Sequence, residues 1–394
     1  MTDRSLHILP SIIVAQFFCT STWFAGNAVI SNLITEYQLN VNDLGHIIAA
    51  VQFGFIAGTL SYALLNLADR YSPSRVFFIS AIFCAIANIS ITLYEQTIES
   101  ILLLRFLTGF FLAGIYPVGM KIAADYYEKG LGKALGFLVG ALVLGTAFPH
   151  LLKSFEGNFP WKFVLIITSI LCASGGVIIL LLVPNGPYRK ISQKLDLKAI
   201  FKVFDSVNFK KAAFGYFGHM WELYAFWVFV PILLKTYTTI HKDVTLNIPL
   251  WSFIVIAVGG VACIAGGYIS QRKGVKKTAM IALSLSGFCC LTSPLFFMIP
   301  IESVFISFLL FWGMVVIADS PLFSTLVAQN ATPEFKGTAL TIVNCIGFSI
   351  TIISIELINL YMNDKNVIYI FLGLALGPLF GLFFLLKNHK TKVL

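Results

Sequence analysis

The 394-residue chain is 58% hydrophobic and only 11% charged, with a mean hydropathy of +0.87. A soluble domain carries about a quarter charged residues, so a soluble enzyme or binding module is excluded and a chain built to sit in lipid is implied. The net charge of +9 is read as topology and contact with anionic headgroups, with no nucleic-acid role, and the seven cysteines all lie in apolar runs without CxxC spacing, which points to packing.

Runs of roughly twenty apolar residues, the length a hydrocarbon core demands, follow one another from end to end. Backbone groups in lipid must be satisfied within their own segment, so the runs are helices, and the alternation of a barrel strand is absent. Twelve are expected, over 8–34, 43–66, 74–94, 99–126, 132–155, 161–183, 211–236, 248–270, 278–299, 303–330, 337–362 and 367–386.

The first run is too long and too polar at its centre (Thr20, Ser21, Thr22, Asn27) for a cleaved signal peptide and is expected to remain. Trp23 and Asn27, four residues apart, share a face. The fourth carries RFLTGFFLAG (105–114) and GIYPVGM (114–120), with Arg105, Leu112 and Tyr116 on one stripe. Lys121 and Asp125 fall on the opposite side unless Pro117 bends the helix. The longest polar break, Pro184 to about Lys210, is rich in Lys and reads as a linker (184–210) with a short surface helix, separating 1–183 from 211–394. The seventh run opens on GHMWELYAFW (218–227), with His219, Glu222 and Phe226 on one face and Trp227 beside them; in the tenth, Trp312, Asp319 and Phe323 share a face.

Lys and Arg fix the orientation. Twenty lie at the termini and in the even-numbered loops, against five at the opposite ends of the spans, so both termini are expected in the cytoplasm.

Ionisable groups at membrane depth are costly and mark partners or cavities. The first half holds Arg105 and Lys121; the second holds His219, Glu222, Asp319 and Glu356. Glu222 is either a proton-coupling carboxylate, its hold on the proton set by burial and by His219, or a structural glutamate bonded to a neighbouring helix. His219 is either a shuttle or simply the partner of Glu222. Asp319 stands next to Pro321, where a bent helix opens backbone groups to a cavity. Lys121 either anchors an anionic group or pairs with Asp125 or a headgroup, whereas Arg105, two turns from a span end, suits a structural or gating role. Glu356 reads as a gate or surface residue. Trp23, Trp227 and Trp312 either stack on a ligand or pack.

The halves repeat. LNLADRYSPSR (65–75) and GYISQRKGVKK (267–277) stand 202 residues apart, Pro117 and Pro321 204 apart, GKALG (132–136) and GTALT (337–341) 205 apart. LADRYSPSR resembles the loop motif G-x-L-A-D-R-x-G-R-R of the major facilitator superfamily, with Leu67, Ala68, Asp69 and Arg70 in register; GYISQRKGVKK matches at Gly267, Arg272, Gly274 and Lys276. Leu65, Ser72 and Gln271 depart from it, leaving the carboxylate role to the first copy. RFLTGFFLAG resembles that family's Arg-containing fourth-span motif, while GFLVGALVLGTAFP lacks the ending of the drug-antiporter motif.

The resemblance implies an all-α membrane fold of two six-helix bundles with a substrate site between them near the midplane. It also implies a latch in which Asp69 takes hydrogen bonds from Arg70, Arg75 or a helix N-terminus, with Arg105, Arg272 and Gly274 as further gating elements. The expected cleft set is Trp23, Asn27, Tyr116, Lys121, His219, Glu222, Phe226, Trp227, Trp312, Asp319 and Phe323, with Glu222, Asp319 and His219 carrying the proton. STWFAGN, GIYPVGMK, GHMWELYAFW and ADSPLF together resemble one bacterial branch of the superfamily. The leading expectation is a monomeric inner-membrane carrier of a small polar, anionic solute, of metabolite or carboxylate-siderophore type, driven by protons. The competing one is a proton-driven efflux pump for hydrophobic compounds, and a non-transporting receptor is disfavoured by the latch. No Walker loop, zinc-ligand spacing or GxSxG element occurs, so neither cofactor, metal nor enzymatic activity is expected.

Overall fold

The computed structural model describes residues 7–40, 43–93, 95–127, 131–155, 159–189, 204–332, 336–363 and 365–387, and among these there are helices and no strand. The helices are α1 (Ile8–Thr20), α2 (Ala25–Ala28), α3 (Ile30–Glu36), α4 (Asp43–Leu64), α5 (Leu67–Arg70), α6 (Pro73–Ser90), α7 (Ile98–Leu112), α8 (Tyr116–Tyr126) and α9 (Leu131–Lys153). They continue as α10 (Lys162–Leu182), α11 (Val207–Ile240), α12 (Ile248–Lys273), α13 (Val275–Met298), α14 (Glu302–Ala318), α15 (Ser320–Asn330), α16 (Lys336–Tyr361), a 3-10 turn (Ile370–Ala375) and α17 (Leu376–Leu386). Ten helical stretches are long and apolar enough to cross a membrane, counting α7 with α8 and α14 with α15 as one each; Ile8–Thr20 and Ile370–Leu386 are shorter apolar helices. The surface helix expected within 184–210 falls largely outside the described residues.

The ends follow local chemistry. Thr97 and Ser100 cap α7 reciprocally, Ser206 accepts from the Phe209 amide to start α11, and Asn247 accepts from the Leu250 amide to start α12. Asn66 (φ 51°) and Gly274 (φ +85°) take left-handed backbone at the two loop-motif joints, where α4 gives way to α5 and α12 to α13.

The expected continuous first span is instead three pieces. Thr20, Ser21 and Thr22 turn their hydroxyls back onto the carbonyls of Gln16, Phe18 and Cys19, at 2.8, 2.6 and 2.8 Å, and the helix stops there. The tenth breaks at Asp319 because Pro321 has no amide to give the Ile317 carbonyl; the Cys263 thiol donates to that oxygen from α12, at 3.5 Å. Beyond the first break, the Trp161 indole donates to Glu36 (2.5 Å) and Lys162 pairs with it (3.1 Å), which holds the Glu36 carboxyl below the usual carboxylate range.

Close packing sets the framework. α4 packs on α7, α6 on α10, and α1 on α9 and α10; α11 packs on α15, α16 and α17, and α12 on α14. These two sets meet mainly where α4 touches α16 and α9 touches α12, the latter with Gly140 and Gly260 facing each other. One crossing occurs twice at an offset of 204. Gly109 lies against the Val51 carbonyl between α7 and α4, and Gly313 against the Val255 carbonyl between α14 and α12.

A side chain at 109 meets backbone, which cannot yield, whereas at Gly136 nothing lies within 4 Å. Gly109→Val is therefore expected to destabilise by about 1–3 kcal/mol or more and Gly136→Ala to be neutral or slightly stabilising. Thermal unfolding of the purified variants in detergent checks this; equal midpoints would contradict the packing account.

Candidate functional site

The membrane-depth ionisable groups lie at separate places in the fold, Arg105 at the break in α1 and Asp319 at the break between α14 and α15, and each has found a partner. Arg105 on α7, 2% exposed, donates from Nη1 to the Thr22 carbonyl (3.2 Å) and Asn88 Oδ1 (3.3 Å) and from Nη2 to the Trp23 carbonyl (2.5 Å). It holds the carbonyls that the end of α1 leaves free, with the guanidinium at the negative end of the helix dipole. The expected structural role for Arg105 thus has a concrete geometry.

Glu222 on α11 is 1% exposed and accepts three hydrogen bonds, from Trp312 Nε1 (2.7 Å) and Cys290 Sγ (3.2 Å) to Oε1 and from Ser286 Oγ (2.9 Å) to Oε2. It ties α11 to α13 and α14. His219 does not pair with it. His219 Nδ1 stands 2.8 Å from Asp319 Oδ1, both side chains 1% exposed, because the break places Asp319 beside the turn of α11 below Glu222. Phe323 packs 6.1 Å from the imidazole, and Phe226 lies 4.6 Å from the Trp312 ring. His219 Nε2 and both Asp319 oxygens are buried without a hydrogen bond among the described residues, Oδ1 meeting His219 only as a close ion-pair contact.

Lys121 pairs with Asp69 at 2.8 Å and with Asp125 at 3.5 Å. The partner of Asp69, expected to be Arg70, Arg75 or a helix N-terminus, is Lys121, since the bend at Pro117 swings α8 toward the loop. Arg70 lies over the Tyr71 ring, Arg75 and Arg272 are exposed, and Gly274 supplies only its backbone angle. Arg189, not foreseen, donates to the carbonyls of Asp69 and Tyr71, each at 2.8 Å.

A plug of rings closes the centre. Trp23 stacks on Tyr224 and on Phe348, both at 5.8 Å, Phe55 lies 4.8 Å from Trp23, and Trp227 packs edge-on to Tyr224 at 5.2 Å. Along α4 the order is fixed: His46, 3.1 Å from Glu356 of α16, at one end; then Gln52 beside a small cavity; then Phe55 in the plug; then a vestibule of about 180 Å³ running to Asp69. Thr59, Tyr62, Asn66, Lys121, Thr338 and Thr341 give the vestibule its polar walls. Tyr116 sits half-buried at the break between α7 and α8, within electrostatic reach of Tyr216 and Tyr224. Trp23 and Trp227 thus form the plug, and Asn27 lies beyond it on the His46 side. Among the described residues no group of three metal-ligating side chains converges.

Gln52 and Ser286 escaped the sequence reading, and Cys290 was read only as packing; the signal that points to them is an uncharged polar or thiol side chain within an apolar run.

The description "Major Facilitator Superfamily" belongs to the family model that matches residues 12–355. The chain is 24% identical over 248 residues to the uncharacterized transporter YgaY of Escherichia coli, which covers 59% of this chain and 61% of that protein. It is 25% identical over 169 residues to the NiaP protein of Bacillus subtilis, named for niacin and nicotinamide transport, which covers 42% of this chain and 41% of that one. The chain therefore spans less than two thirds of the length of these relatives. Among solved structures, the nucleoside transporter NupG superposes with a TM-score of 0.74 at 14% identity, over 96% of this chain and 100% of that one. A D-xylose-proton symporter superposes with a TM-score of 0.77 at 13% identity, over 99% of each. At such identities the likeness is one of fold.

Glu222→Leu leaves the Trp312 and Cys290 donors without an acceptor, at about 1–3 kcal/mol for each one unpaired, while Ser286 falls back on the Leu283 carbonyl; Glu222→Gln keeps an acceptor oxygen for both. The thermal midpoint in detergent is expected to fall much further for Leu than for Gln. Equal midpoints would mean that the network contributes no stability.

Proposed function

The chain belongs to the Major Facilitator Superfamily and is a multi-pass membrane transporter, not an enzyme; on that premise we propose that it carries a small polar solute by proton-coupled alternating access. The observation that carries the coupling is the buried contact of His219 with Asp319 at a helix break. Both oxygens of the carboxylate and Nε2 of the imidazole are free of protein hydrogen bonds, and when the imidazole is protonated, a proton taken up by the carboxylate ends their mutual attraction. That change in charge loosens α11 from the α14–α15 joint, the kind of differential contact an alternating-access step requires. Glu222, held by neutral donors and by no cation, is the second proton-responsive group and the tie that transmits the change to α13 and α14.

The architecture proposed for this work is twelve spans in two bundles, 1–183 and 211–394, joined by 184–210, with both termini cytoplasmic in a bacterial inner membrane. The two packing sets, the crossing repeated at 204 residues and the two shorter apolar helices support it, as does the distribution of Lys and Arg. With the Asp69 end cytoplasmic, the vestibule opens inward and the plug, together with His46 and Glu356, closes the outer side. Lys121, held by Asp69 and Asp125, is the inner latch.

The cargo is read from the vestibule. An anionic solute was expected from Arg105 and Lys121, yet Arg105 is engaged by carbonyls and Lys121 by two carboxylates. The hydroxyl and amide groups that remain favour an uncharged or zwitterionic solute with several hydrogen-bonding groups, and an anion would have to draw Lys121 off Asp69. The names of similar proteins, for niacin, nucleosides and D-xylose with protons, support a polar cargo of this size.

Reconstituted protein under an inward proton gradient is expected to accumulate members of a panel of pentoses, nucleosides and pyridine carboxamides. Asp319→Asn is expected to lose accumulation while still exchanging solute across the membrane. Accumulation that ignores both the gradient and Asp319→Asn would refute coupling at this site, and movement of hydrophobic dyes alone would select the efflux reading.

A further inference from the structure

On the His46 side of the plug lies a cavity of about 10 Å³, walled by Trp23, Asn27, Gln52 and Arg105 with apolar side chains of α4. It admits one guest of atomic size. Three donors at this cavity are buried without a hydrogen-bond partner among the described residues: Arg105 Nε, Asn27 Nδ2 and Trp23 Nε1. They belong to side chains that are 2%, 8% and 2% exposed. One unpartnered acceptor faces them, Gln52 Oε1, and a turn of that carboxamide presents N–H in its place.

Charge separates the possible guests. No carboxylate pairs with Arg105 among the described residues. The guanidinium meets only carbonyl and amide oxygens, and the end of a helix supplies about half a unit of negative charge. A positive excess therefore persists in a low-dielectric setting, where it is costly. Water would answer the donors and leave the charge; a small anion answers both. A cavity of this size excludes a carboxylate or phosphate group.

We propose that this cavity binds a monatomic anion, chloride in ordinary salt, held by Arg105 Nε, Asn27 and Trp23. The ion neutralises the buried guanidinium and fastens the break of α1 to α4 and α7 on the closed side of the plug. It is a bound ion of the scaffold, distinct from cargo and proton, so it stands whatever solute the vestibule takes.

The test uses the full-length protein in detergent at constant ionic strength and pH, with sodium chloride or bromide exchanged against sodium gluconate. The expected result is a saturable rise of a few degrees in the unfolding midpoint with either halide and none with gluconate, abolished in Asn27→Leu, whose own midpoint in gluconate matches the wild type more closely. Should Asn27→Leu not purify, Trp23→Phe, which removes the indole donor and keeps a ring in the plug, is read in its place, with at least a several-fold weaker halide response expected. Crystals grown in bromide should show an anomalous peak within the cavity. Midpoints that are the same in chloride and gluconate, a halide response unchanged in both variants, or bromide bound elsewhere and not here would each overturn the proposal and leave a water in its place.

Discussion

Hydrocarbon offers no partner to a polar group, and every departure from continuous helix in this protein is governed by that constraint. Where Thr20, Ser21 and Thr22 end α1, carbonyls are set free, and a guanidinium from α7 takes them. Where Pro321 withholds an amide, a thiol from α12 reaches the orphaned carbonyl. Each break is thus stitched by a residue from another helix, which makes the break a fixed joint with its backbone groups satisfied. Glu222 follows the same rule in reverse: a carboxylate placed at depth is tolerated because three donors from two other helices converge on it. Arg105 and Asp319 thus belong to helix breaks, whereas His219 and Glu222 sit within the continuous α11 and are tolerated because partners from other helices reach them.

The order of features along α4 and α16 shows how a barrier can be both tight and reversible. His46 faces Glu356 at one end, the rings of Phe55 and Phe348 meet at 4.7 Å in the middle, and the vestibule opens between Thr59 and Thr338. Aromatic pairs are worth only about 0.5–1.5 kcal/mol each beyond their area, and an exposed ion pair contributes about 0–1 kcal/mol. Neither term is large enough to trap the protein. The glycine crossings within each packing set are different in kind, since backbone lies directly on backbone at Gly54, Gly109 and Gly313. Such contacts do not deform gradually, so the movement that the proposed alternating access requires falls to the interfaces of α4 with α16 and α9 with α12.

Much of this was legible in the sequence, and the remainder failed for identifiable reasons. Apolar run length located the helices, and helical phase placed His219, Glu222 and Phe226 on one face and Trp312 with Asp319 on another, because both depend only on local spacing. Partner choice does not. His219 meets Asp319, one hundred positions away, and Glu222 meets Trp312, because the α14–α15 joint offsets those two side chains along the axis of α11; phase gives a face and says nothing of height. Lys121 reaches Asp69 only once Pro117 has turned α8. The break of α1 was overlooked because its hydroxyl residues were counted as polarity and not as competitors for backbone carbonyls. Gln52 illustrates a further gap: an uncharged amide carries little hydropathy signal, although burying it unpaired is costly.

The duplication shows what the fold conserves and what it leaves free. Pro117 and Pro321, Trp23 and Trp227, and the crossings at Gly109 and Gly313 all recur at 204 residues, and each of the proline and glycine pairs shapes backbone. The titratable groups do not recur. At the same offset, His219, Glu222 and Asp319 correspond to Ala15, Phe18 and Ile115, and Arg105 corresponds to Leu309. A shared scaffold has been fitted with a permanently charged group, bonded through its two terminal nitrogens, in one half and protonatable groups in the other. That asymmetry is physically useful. Equivalent titratable groups facing each other across one cleft would repel when ionised and would protonate as a coupled pair, whereas groups confined to one half let protonation bias that half alone. On the proposed reading, the half that takes up protons changes its contacts while the half pinned by Arg105 keeps its shape, and the rings between them register the difference.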